Sequence, residues 1–310
     1  MLLEFTTGSL AAMSATLFSN PMDVIKNRFQ VQAELQKSNV GSRMVYRNVF
    51  QGAWVIARNE GIFALQKGLA PALGYNCVMN GARLGLYPLF ERLEGIDTES
   101  DESGLLVYMK KMSSACVAGA VGSILSAPFF LLKIRQQIKV TEGAVDSVVG
   151  YQHQMASGTL GSLRSLFAGG LRETFRGLSA QVLRVTVASA SQLLAYDFAK
   201  HLIFVHFPER HVTPLSSSSI FLAAALSGLF TTTMLQPVDI VCTRVLNQPI
   251  GSQGDGLYYR GAWDCLLKTL KTEGFRGLFK GWSASYLRVG PHTALTFFFL
   301  ETYRNHWGVH

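Results

Sequence analysis

The sequence predicts an all-α membrane protein built from three tandem repeats, each with two membrane-spanning helices joined by a short amphipathic helix. Three observations lead to this fold class. Two short motifs recur three times at nearly constant intervals, six long windows carry few charges, and an amphipathic segment lies between the two apolar windows of each repeat.

The repeats are seen first in the spacing of proline and glycine motifs. Prolines followed seven positions later by arginine lie 107 and 109 residues apart, at Pro21, Pro128 and Pro237. A base followed by glycine recurs at intervals of 109 and 104 residues, at Lys67-Gly68, Arg176-Gly177 and Lys280-Gly281. Units of this length fit modules of several helices better than solenoid repeats. The repeats are therefore expected at residues 1–97, 105–207 and 215–310.

Composition indicates that these helices lie in a membrane. Apolar residues make up 48% of the 310 residues, charged residues 15%, and the mean hydropathy is +0.22. Six windows have the length of about 20 residues that spans a bilayer as a helix. They are residues 5–25, 71–91, 112–132, 180–200, 218–241 and 282–304. Their frequent Gly, Ala, Ser and Thr are typical of helices packed closely in lipid, and buried helices of a soluble protein are the less favoured alternative.

Between the two windows of each repeat, apolar residues recur at helical spacing with Arg or Lys between them. These segments are residues 46–59, 155–168 and 259–272. The pattern predicts helices lying at the membrane interface, so both chain termini are expected on one side and these helices on the other. The net charge of +8 then favours anionic lipid over nucleic acid, because no basic soluble domain is apparent.

Other function classes lack their motifs. The four cysteines, Cys77, Cys116, Cys242 and Cys265, are isolated, so neither a disulfide framework nor a metal site is expected. The sequence holds no nucleophile motif, phosphate loop or HExxH motif, and an enzyme is therefore not expected. Because the first window begins within the first ten residues, no cleavable leader is expected.

The motifs resemble those of the mitochondrial carrier family. Its repeat reads Pro-x-acid-x-x-base-x-base, then acid-Gly, then base-Gly. PMDVIKNR (21–28) with Glu60-Gly61 and PVDIVCTR (237–244) with Glu273-Gly274 follow this order. The middle copy, PFFLLKIR (128–135), is followed by Gly169-Gly170, so it departs from the acid-Gly pattern.

Further stretches are most similar to the dicarboxylate and oxaloacetate/sulfate carriers: RLGLYPLFER (83–92), LRVGPHTALTFFFLE (287–301) and CTRVLNQP (242–249). The resemblance implies a six-helix barrel in the inner mitochondrial membrane, with its short amphipathic helices in the matrix and both termini towards the intermembrane space. It also implies exchange of small anions by alternating access around one central site, in a protein that is a monomer.

Three arginines lie inside the predicted spans: Arg83, Arg184 and Arg288. A charge in a span costs on the order of 2.5–3.5 kcal/mol on insertion scales, so it marks a functional site. Arg184 and Arg288 both follow the glycine of a base-Gly pair by seven residues, and Arg83 lies two turns further along the same face. They match positions that contact substrate in dicarboxylate-type carriers. Polar neighbours at helical spacing include Asn80, Gln192 and His292.

The chemistry predicted for this site is recognition of a small dianion. No acidic residue is expected in the same mid-membrane layer, so three uncompensated guanidiniums require a ligand with at least two negative charges. Val185 follows Arg184 where an acid would hold an amino group, which argues against amino acids. Oxaloacetate, malate, malonate, sulfate and thiosulfate remain. His292 is either a proton-coupling group or, more commonly for such a histidine, a hydrogen-bonding wall.

The resemblance implies a gate at the matrix end of the spans. In the family, the acid of each proline motif pairs with the first base of the next motif. Transferred to this sequence, Asp23 pairs with Lys133 and Asp239 pairs with Lys26.

The third pair of this gate joins Phe130 to Cys242, so both charges are absent together and neither is stranded. An apolar contact between these two residues is expected in its place. The family braces each pair with a glutamine nine residues after the proline. Gln30 and Gln137 hold this position in the first two motifs, whereas the third has Leu246.

A second gate, at the opposite ends of the spans, is implied by the motif aromatic-acid-x-x-base. Asp197 with Arg304 is the one pair expected in the usual arrangement. The other charged positions are Lys200, Glu301 and Glu91, and Lys200 with Glu91 is an alternative pairing.

Aromatic-base-glycine stretches resemble the cardiolipin sites of the family, where helix N-termini and a nearby cation hold phosphates. The glycines concerned are Gly52, Gly177, Gly261 and Gly281. Structural cardiolipin is therefore expected, with no other cofactor and no metal; ordinary glycine helix breaks are the alternative.

The sequence thus predicts an antiporter of dicarboxylates and sulfur oxoanions. An uncoupling-type proton or anion leak carrier is the alternative within the family, and a non-transporting membrane scaffold is the alternative from another class. The arginines argue against a scaffold, which has no reason to keep three costly charges in its spans.

Overall fold

The structure, a computed structural model, describes the backbone of residues 2–35, 45–93, 105–141, 143–144, 147–156, 158–206, 217–251 and 255–307. The helices in these ranges are α1 (Leu2–Val31), α2 (Val49–Glu60), α3 (Leu69–Leu93), α4 (Leu105–Ile138), α5 (Thr159–Ala168), α6 (Leu171–Thr174), α7 (Leu178–His206), α8 (Ser217–Asn247), α9 (Ala262–Glu273) and α10 (Trp282–Trp307). Within the described ranges, the β pairing found is one isolated bridge, between Ile250 and Gly256. The all-α prediction is confirmed.

Each third of the chain has a long helix, a short amphipathic helix and a second long helix in this order, and the middle third adds the four-residue helix α6. The long helices are α1, α3, α4, α7, α8 and α10, and all six predicted windows lie within them. Among the described residues, one helix, Met109–Ile138, combines the length and the mean hydropathy, 2.0, typical of a span. Six such helices were predicted.

The three proline-containing helices are longer than their apolar windows. Helices α1, α4 and α8 run through their prolines and end at Val31, Ile138 and Asn247. Proline weakens one turn of a helix by removing a donor, but the polar residues that follow are anchored by side-chain partners in neighbouring elements. Each helix therefore extends about two turns beyond the window.

The short amphipathic helices begin three or four residues later than predicted. Asn48 caps α2, where its side-chain oxygen accepts a hydrogen bond of 2.8 Å from the backbone N of Gln51. Glycines hold the same position before α5 and α9. In α2, Ile56 is buried, whereas Phe50 is 79% exposed, as expected for a helix with one face towards a membrane interface.

The long helices pack on one another in a closed order. Helix α1 contacts α3, α3 contacts α4, α4 contacts α7, α7 contacts α8, α8 contacts α10, and α10 returns to α1. The ends of α1, α4 and α8 that follow the prolines also contact one another, and they carry the buried charges of the candidate site.

Candidate functional site

Four charged residues of the proline motifs meet in two buried ion pairs. Lys133 Nζ lies 2.8 Å from Asp23 Oδ2, and Lys26 Nζ lies 2.6 Å from Asp239 Oδ2. All four residues are buried where α1, α4 and α8 converge. We call these four residues the gate layer. The structure thus brings together the two pairs that the sequence motifs indicated.

Two of the three span arginines also bind the gate-layer acids. Arg184 Nε lies 2.7 Å from Asp239 Oδ1, and Arg288 Nε lies 2.5 Å from Asp23 Oδ1. The expectation that the arginines lie in a layer without acids is therefore wrong. A long guanidinium side chain reaches from α7 or α10 to the gate layer, and a buried guanidinium without an acid would carry a large desolvation cost. Each acid accordingly holds one lysine and one arginine.

The position of the missing third pair is filled by an aromatic and a cation. The guanidinium carbon of Arg184 lies 5.0 Å from the ring centre of Phe130, within the range of a cation–π contact. The Phe130 ring also lies 5.0 Å from the ring of Tyr75, and Cys242 is fully buried in the same apolar cluster. The third position is therefore not closed by an apolar contact alone, as the sequence led us to expect.

Tyr75 was missed by the sequence analysis. Its ring contacts one cation and one aromatic ring, since Lys133 Nζ is 5.8 Å from its centre and the centre of the Phe130 ring is 5.0 Å away. The only signal was an aromatic residue on α3 beside the polar residues near Arg83, and such residues are common in spans.

The two glutamine braces behave differently. Gln30 Nε2 donates to Asp239 Oδ2 at 2.6 Å, so it contacts a gate-layer acid as the resemblance implies. Gln137 instead donates to Asn20 Oδ1 at 2.9 Å and accepts from Asn27 Nδ2 at 2.5 Å. The amides of α1 are closer partners for Gln137, so the brace predicted for Gln137 is replaced by an amide network between α1 and α4.

The remaining predicted substrate residues have fewer charged partners than Arg184 and Arg288. Arg83 is half-buried on α3, and no ion pair joins it within the described residues. His292 Nδ1 lies 3.0 Å from Ser19 Oγ. Asn80 is half-buried, and Gln192 is exposed on α7. The structure therefore brings Arg184 and Arg288 to the gate layer and leaves Arg83 apart from it.

The second predicted gate cannot be placed in the same way. The side chains of Glu91, Asp197, Lys200, Glu301 and Arg304 lie outside the described residues. At this end of the helices, Ser14 Oγ and Tyr303 Oη form a hydrogen bond of 2.8 Å between α1 and α10.

A second set of buried charges lies beyond the gate layer, around the last base of each proline motif. Arg28 forms a two-pronged ion pair with Glu60, whose Oε2 is also 2.8 Å from Lys67 Nζ. Burial alone would raise the pKa of Glu60, but its hydrogen bonds with Arg28 and Lys67 hold that pKa at about 2. The acid-Gly and base-Gly motifs were the signal for this network, although the sequence analysis gave it no role.

The third repeat has the same network, and the middle repeat has a substitute. Arg244 Nη1 lies 2.6 Å from Glu273 Oε1. In the middle repeat Gly169 stands where the acid should be, and the carboxylate of Glu173 occupies the space that a side chain at 169 would enter. Arg135 Nη1 lies 3.6 Å from Glu173 Oε1. One turn later in the chain, Glu173 thus supplies the acid that the motif lacks.

These networks differ enough to predict different costs of neutralising their acids. Glu60 is fully buried, so Glu60→Gln leaves Arg28 without an acid and is expected to cost about 3–5 kcal/mol of stability. Glu173 is 34% exposed and lies 3.6 Å from Arg135, so its ion pair is weaker and Glu173→Gln is expected to cost less than Glu60→Gln. Thermal unfolding of the two purified variants checks this order. Equal losses would show that Glu173 is as important to its repeat as Glu60.

The glycines of the predicted lipid sites have different surroundings. Gly177 has φ +69°, and a Cβ there would lie 2.6 Å from Leu246. Gly281 also has a positive φ, and a Cβ there would lie 3.1 Å from Phe29. A Cβ at Gly52 would lie 3.3 Å from the same side chain, whereas a Cβ at Gly261 would have no neighbour within 4 Å. Close packing of α2, α7 and α10 against neighbouring helices therefore accounts for Gly52, Gly177 and Gly281 without any ligand.

Comparison with known proteins identifies related sequences over the whole chain. Residues 1–95, 106–207 and 213–310 match the family described as mitochondrial carrier protein. Solute carrier family 25 member 35 of Homo sapiens is 38% identical over 306 residues, which cover 98% of both chains. The mitochondrial oxaloacetate transport protein of Schizosaccharomyces pombe is 34% identical over 299 residues, covering 96% of this chain and 88% of that protein. The mitochondrial citrate transporter E of Aspergillus niger is 32% identical over 296 residues, covering 94% and 89%.

Proposed function

Because the chain belongs to the mitochondrial carrier family, whose members are inner-membrane transporters and not enzymes, we propose that it exchanges small dicarboxylates and related dianions by alternating access. The observation that carries the proposal is a charge balance. Asp23 and Asp239 are surrounded by four cations, which are Lys26, Lys133, Arg184 and Arg288, so the buried cluster has a formal charge of +2. A dianion neutralises it.

The order of helix contacts supports a barrel. In this proposal the six long helices enclose a central passage, the gate layer closes its matrix end, and both termini face the intermembrane space. The repeats at residues 1–97, 105–207 and 215–310 are the units that move. The described helix pairs, each packed on the next and the last on the first, are the arrangement such a barrel requires.

Substrate binding is coupled to gating because the same arginines serve both. A small dianion offers two planar or tetrahedral anionic groups, which suit the guanidinium fork as well as Asp23 and Asp239 do. When the anion binds Arg184 and Arg288, each gate-layer acid keeps its lysine as its one cation, and the gate is weakened. A monoanion competes for one arginine only. Opening of the gate therefore requires an anion with two negative charges, and an anion that binds only one arginine does not open it.

Arg83 supplies a third cation on the side away from the gate layer, and His292 and Asn80 line the path between them. The names of two relatives agree with anionic substrates, since one is an oxaloacetate transport protein and the other a citrate transporter. Oxaloacetate, malate, malonate, sulfate and thiosulfate all meet the charge requirement. Cardiolipin bound near Gly52, Gly177, Gly261 and Gly281, and action as a monomer, complete the proposal.

Reconstitution of the purified protein in liposomes tests the function. Labelled malate, oxaloacetate and sulfate should enter liposomes that contain unlabelled dianion, whereas lactate and a neutral amino acid should not. Empty liposomes should take up little dianion, because exchange needs a counter-substrate. Proton leak into empty liposomes would instead favour the uncoupling-type carrier. No flux of any kind, from folded protein, would favour the scaffold.

A further inference from the structure

The turn that follows α1 binds the third repeat. The chain leaves α1 through Ala33 and Leu35, which have φ values of 50° and 58°, a conformation that non-glycine residues seldom adopt. The carboxyl of Glu34, between them, accepts a hydrogen bond of 2.8 Å from the hydroxyl of Tyr259. The backbone N of Leu35 donates to Glu273 Oε1 at 3.0 Å. Lys280 Nζ lies 3.4 Å from the Ala33 carbonyl oxygen. The turn is thus held in its strained conformation by residues of the third repeat.

This contact and the gate layer join the same two repeats. Lys26 and Asp239 link α1 to α8, and the Glu34–Tyr259 hydrogen bond lies just beyond the ends of those helices. Gln30, the second-to-last residue of α1, donates to Asp239 as well. Any motion that separates Lys26 from Asp239 therefore pulls on the contact at Glu34.

The other two repeat junctions use backbone carbonyls in this place. Tyr46 Oη donates to the carbonyl of Ser147 at 3.1 Å, and His153 Nε2 lies 3.1 Å from the carbonyl of Asn247. Burial, together with the charges of Arg135 and Arg176, lowers the pKa of His153 to about 3, so this histidine stays neutral. Of the three junctions in the described part of the chain, the one at Glu34 thus changes charge near neutral pH.

The surroundings of Glu34 explain its titration. The groups that face it are Arg244 of α8, Glu273 and Cys265 of α9, and Tyr259 and Lys280 from the adjoining segments. Burial raises the pKa of Glu34 to about 7 and Glu273 adds to this, against the opposing influence of Arg244, the Tyr259 hydrogen bond and Lys280. Arg244 and Lys280 both form direct ion pairs with Glu273, so they neutralise Glu34 only in part.

Protons can reach this carboxyl. A cavity of about 360 Å³ lies beside it, lined by residues of all three repeats that include Glu34, Val148, Tyr151 and Tyr258. Glu34 is half-buried and is one of the residues that line this cavity. The site is therefore in contact with solvent on the side of the gate layer away from the central passage.

We propose that Glu34 is a proton-binding site on the matrix side, which supports the closed gate layer when protonated and favours its opening when ionised. The inference rests on the proposed gating, but not on which anion is carried. The closed state would bind a proton when the gate shuts and release it when the gate opens.

The sign follows from linkage. A carboxyl freed into water by opening has its ordinary pKa of 4.5, lower than the value in the closed state. The closed state therefore binds more protons than the open or unfolded state between these two values, and it loses stability as the pH rises through this range. The opening equilibrium can change by at most about tenfold per pH unit there, and the effect is complete above the closed-state pKa.

Thermal unfolding of the purified protein, without substrate, tests the site from about pH 4, below the ordinary carboxyl pKa, to about pH 8. Wild type and Glu34→Gln should be equally stable at the acidic end, and the variant should be the more stable one at the alkaline end. Tyr259→Phe removes a hydrogen bond that favours the ionised carboxyl, so the midpoint of the pH effect should move upward. Tyr258→Phe, at an exposed neighbouring ring, is the matched control and should leave the profile unchanged.

Parallel profiles for wild type and Glu34→Gln would overturn the proposal. If Glu34→Gln does not fold, an unmoved midpoint in Tyr259→Phe would overturn it equally. Exchange in proteoliposomes adds a second readout, in which wild type should speed up as the pH rises and Glu34→Gln should stay slow. A pH-dependent stability difference without any dianion exchange would support the proton site and contradict the proposed function, so the two failures can be told apart.

Discussion

Replacing Arg184 with alanine is expected to lower the rate of dianion exchange by about ten- to a hundredfold, the effect of losing a charge-assisted contact of about 1.5–3 kcal/mol. The protein should still fold, because Asp239 keeps Lys26 and Gln30 as partners. Arg288→Ala should behave alike, since Asp23 keeps Lys133. The measurement is the initial rate of labelled malate uptake into liposomes loaded with malate.

Two controls make this prediction specific. Arg172→Ala breaks an exposed ion pair with Asp255, in which both side chains are 69% exposed, and should leave exchange unchanged. Arg184→Lys keeps the charge but not the planar fork, and should give an intermediate rate. Wild-type exchange by a folded Arg184→Ala protein would remove this residue from the substrate site.

Phe130 and Cys242 occupy the place of the missing third ion pair, and a charge introduced there should have opposite effects on stability at the two residues. Cys242→Lys buries a second cation beside Arg184 and is expected to cost about 3–5 kcal/mol more than the uncharged Cys242→Met. Phe130→Asp places a carboxylate against the Arg184 guanidinium and should be more stable than Phe130→Asn by about 1–3 kcal/mol. Phe130→Asp should nevertheless slow exchange, because Arg184 is then held away from the substrate.

A double-mutant cycle separates this account from a simple apolar contact. The double variant Phe130→Asp with Cys242→Lys should be more stable than the sum of the two single changes, since each new charge has a partner. Thermal unfolding and initial exchange rate are the two readouts. Additive effects in both would mean that positions 130 and 242 do not interact, either directly or through Arg184.

Local pattern was enough to predict the helices. The spacing of apolar windows and proline motifs located the six long helices and the three short ones, because helix formation depends on neighbouring residues. The predicted ends of the helices were less accurate than their positions. Asn48 begins α2 through a capping hydrogen bond. Helices α1, α4 and α8 continue past their prolines to Val31, Ile138 and Asn247, and Asp23, Lys133 and Asp239 in these ends have buried partners. Those partners come from other repeats, which a single window does not contain.

The candidate site was predictable to the extent that its motifs were intact. The pair of Asp23 with Lys133 follows from the family resemblance of two intact motifs. The link from Arg184 to Asp239 does not, because it depends on how far a long side chain reaches between α7 and α8. Glu173 was missed for a related reason, since the acid that replaces position 169 lies one turn away and is recognised only in space.

Competition between the substrate and the gate-layer acids for Arg184 and Arg288 is the central claim, and the affinity of Asp239→Asn for malate tests it most directly. Titration calorimetry of purified wild type and variant gives the two dissociation constants. If Asp239 competes for Arg184, its neutralisation raises the cluster charge and frees the guanidinium, so malate should bind about tenfold tighter or more. Asp23→Asn should also tighten malate binding, in this case by freeing Arg288. The affinity of either variant for lactate should increase far less. Unchanged or weaker malate binding in both folded variants would show that the arginines are not shared between gate and substrate.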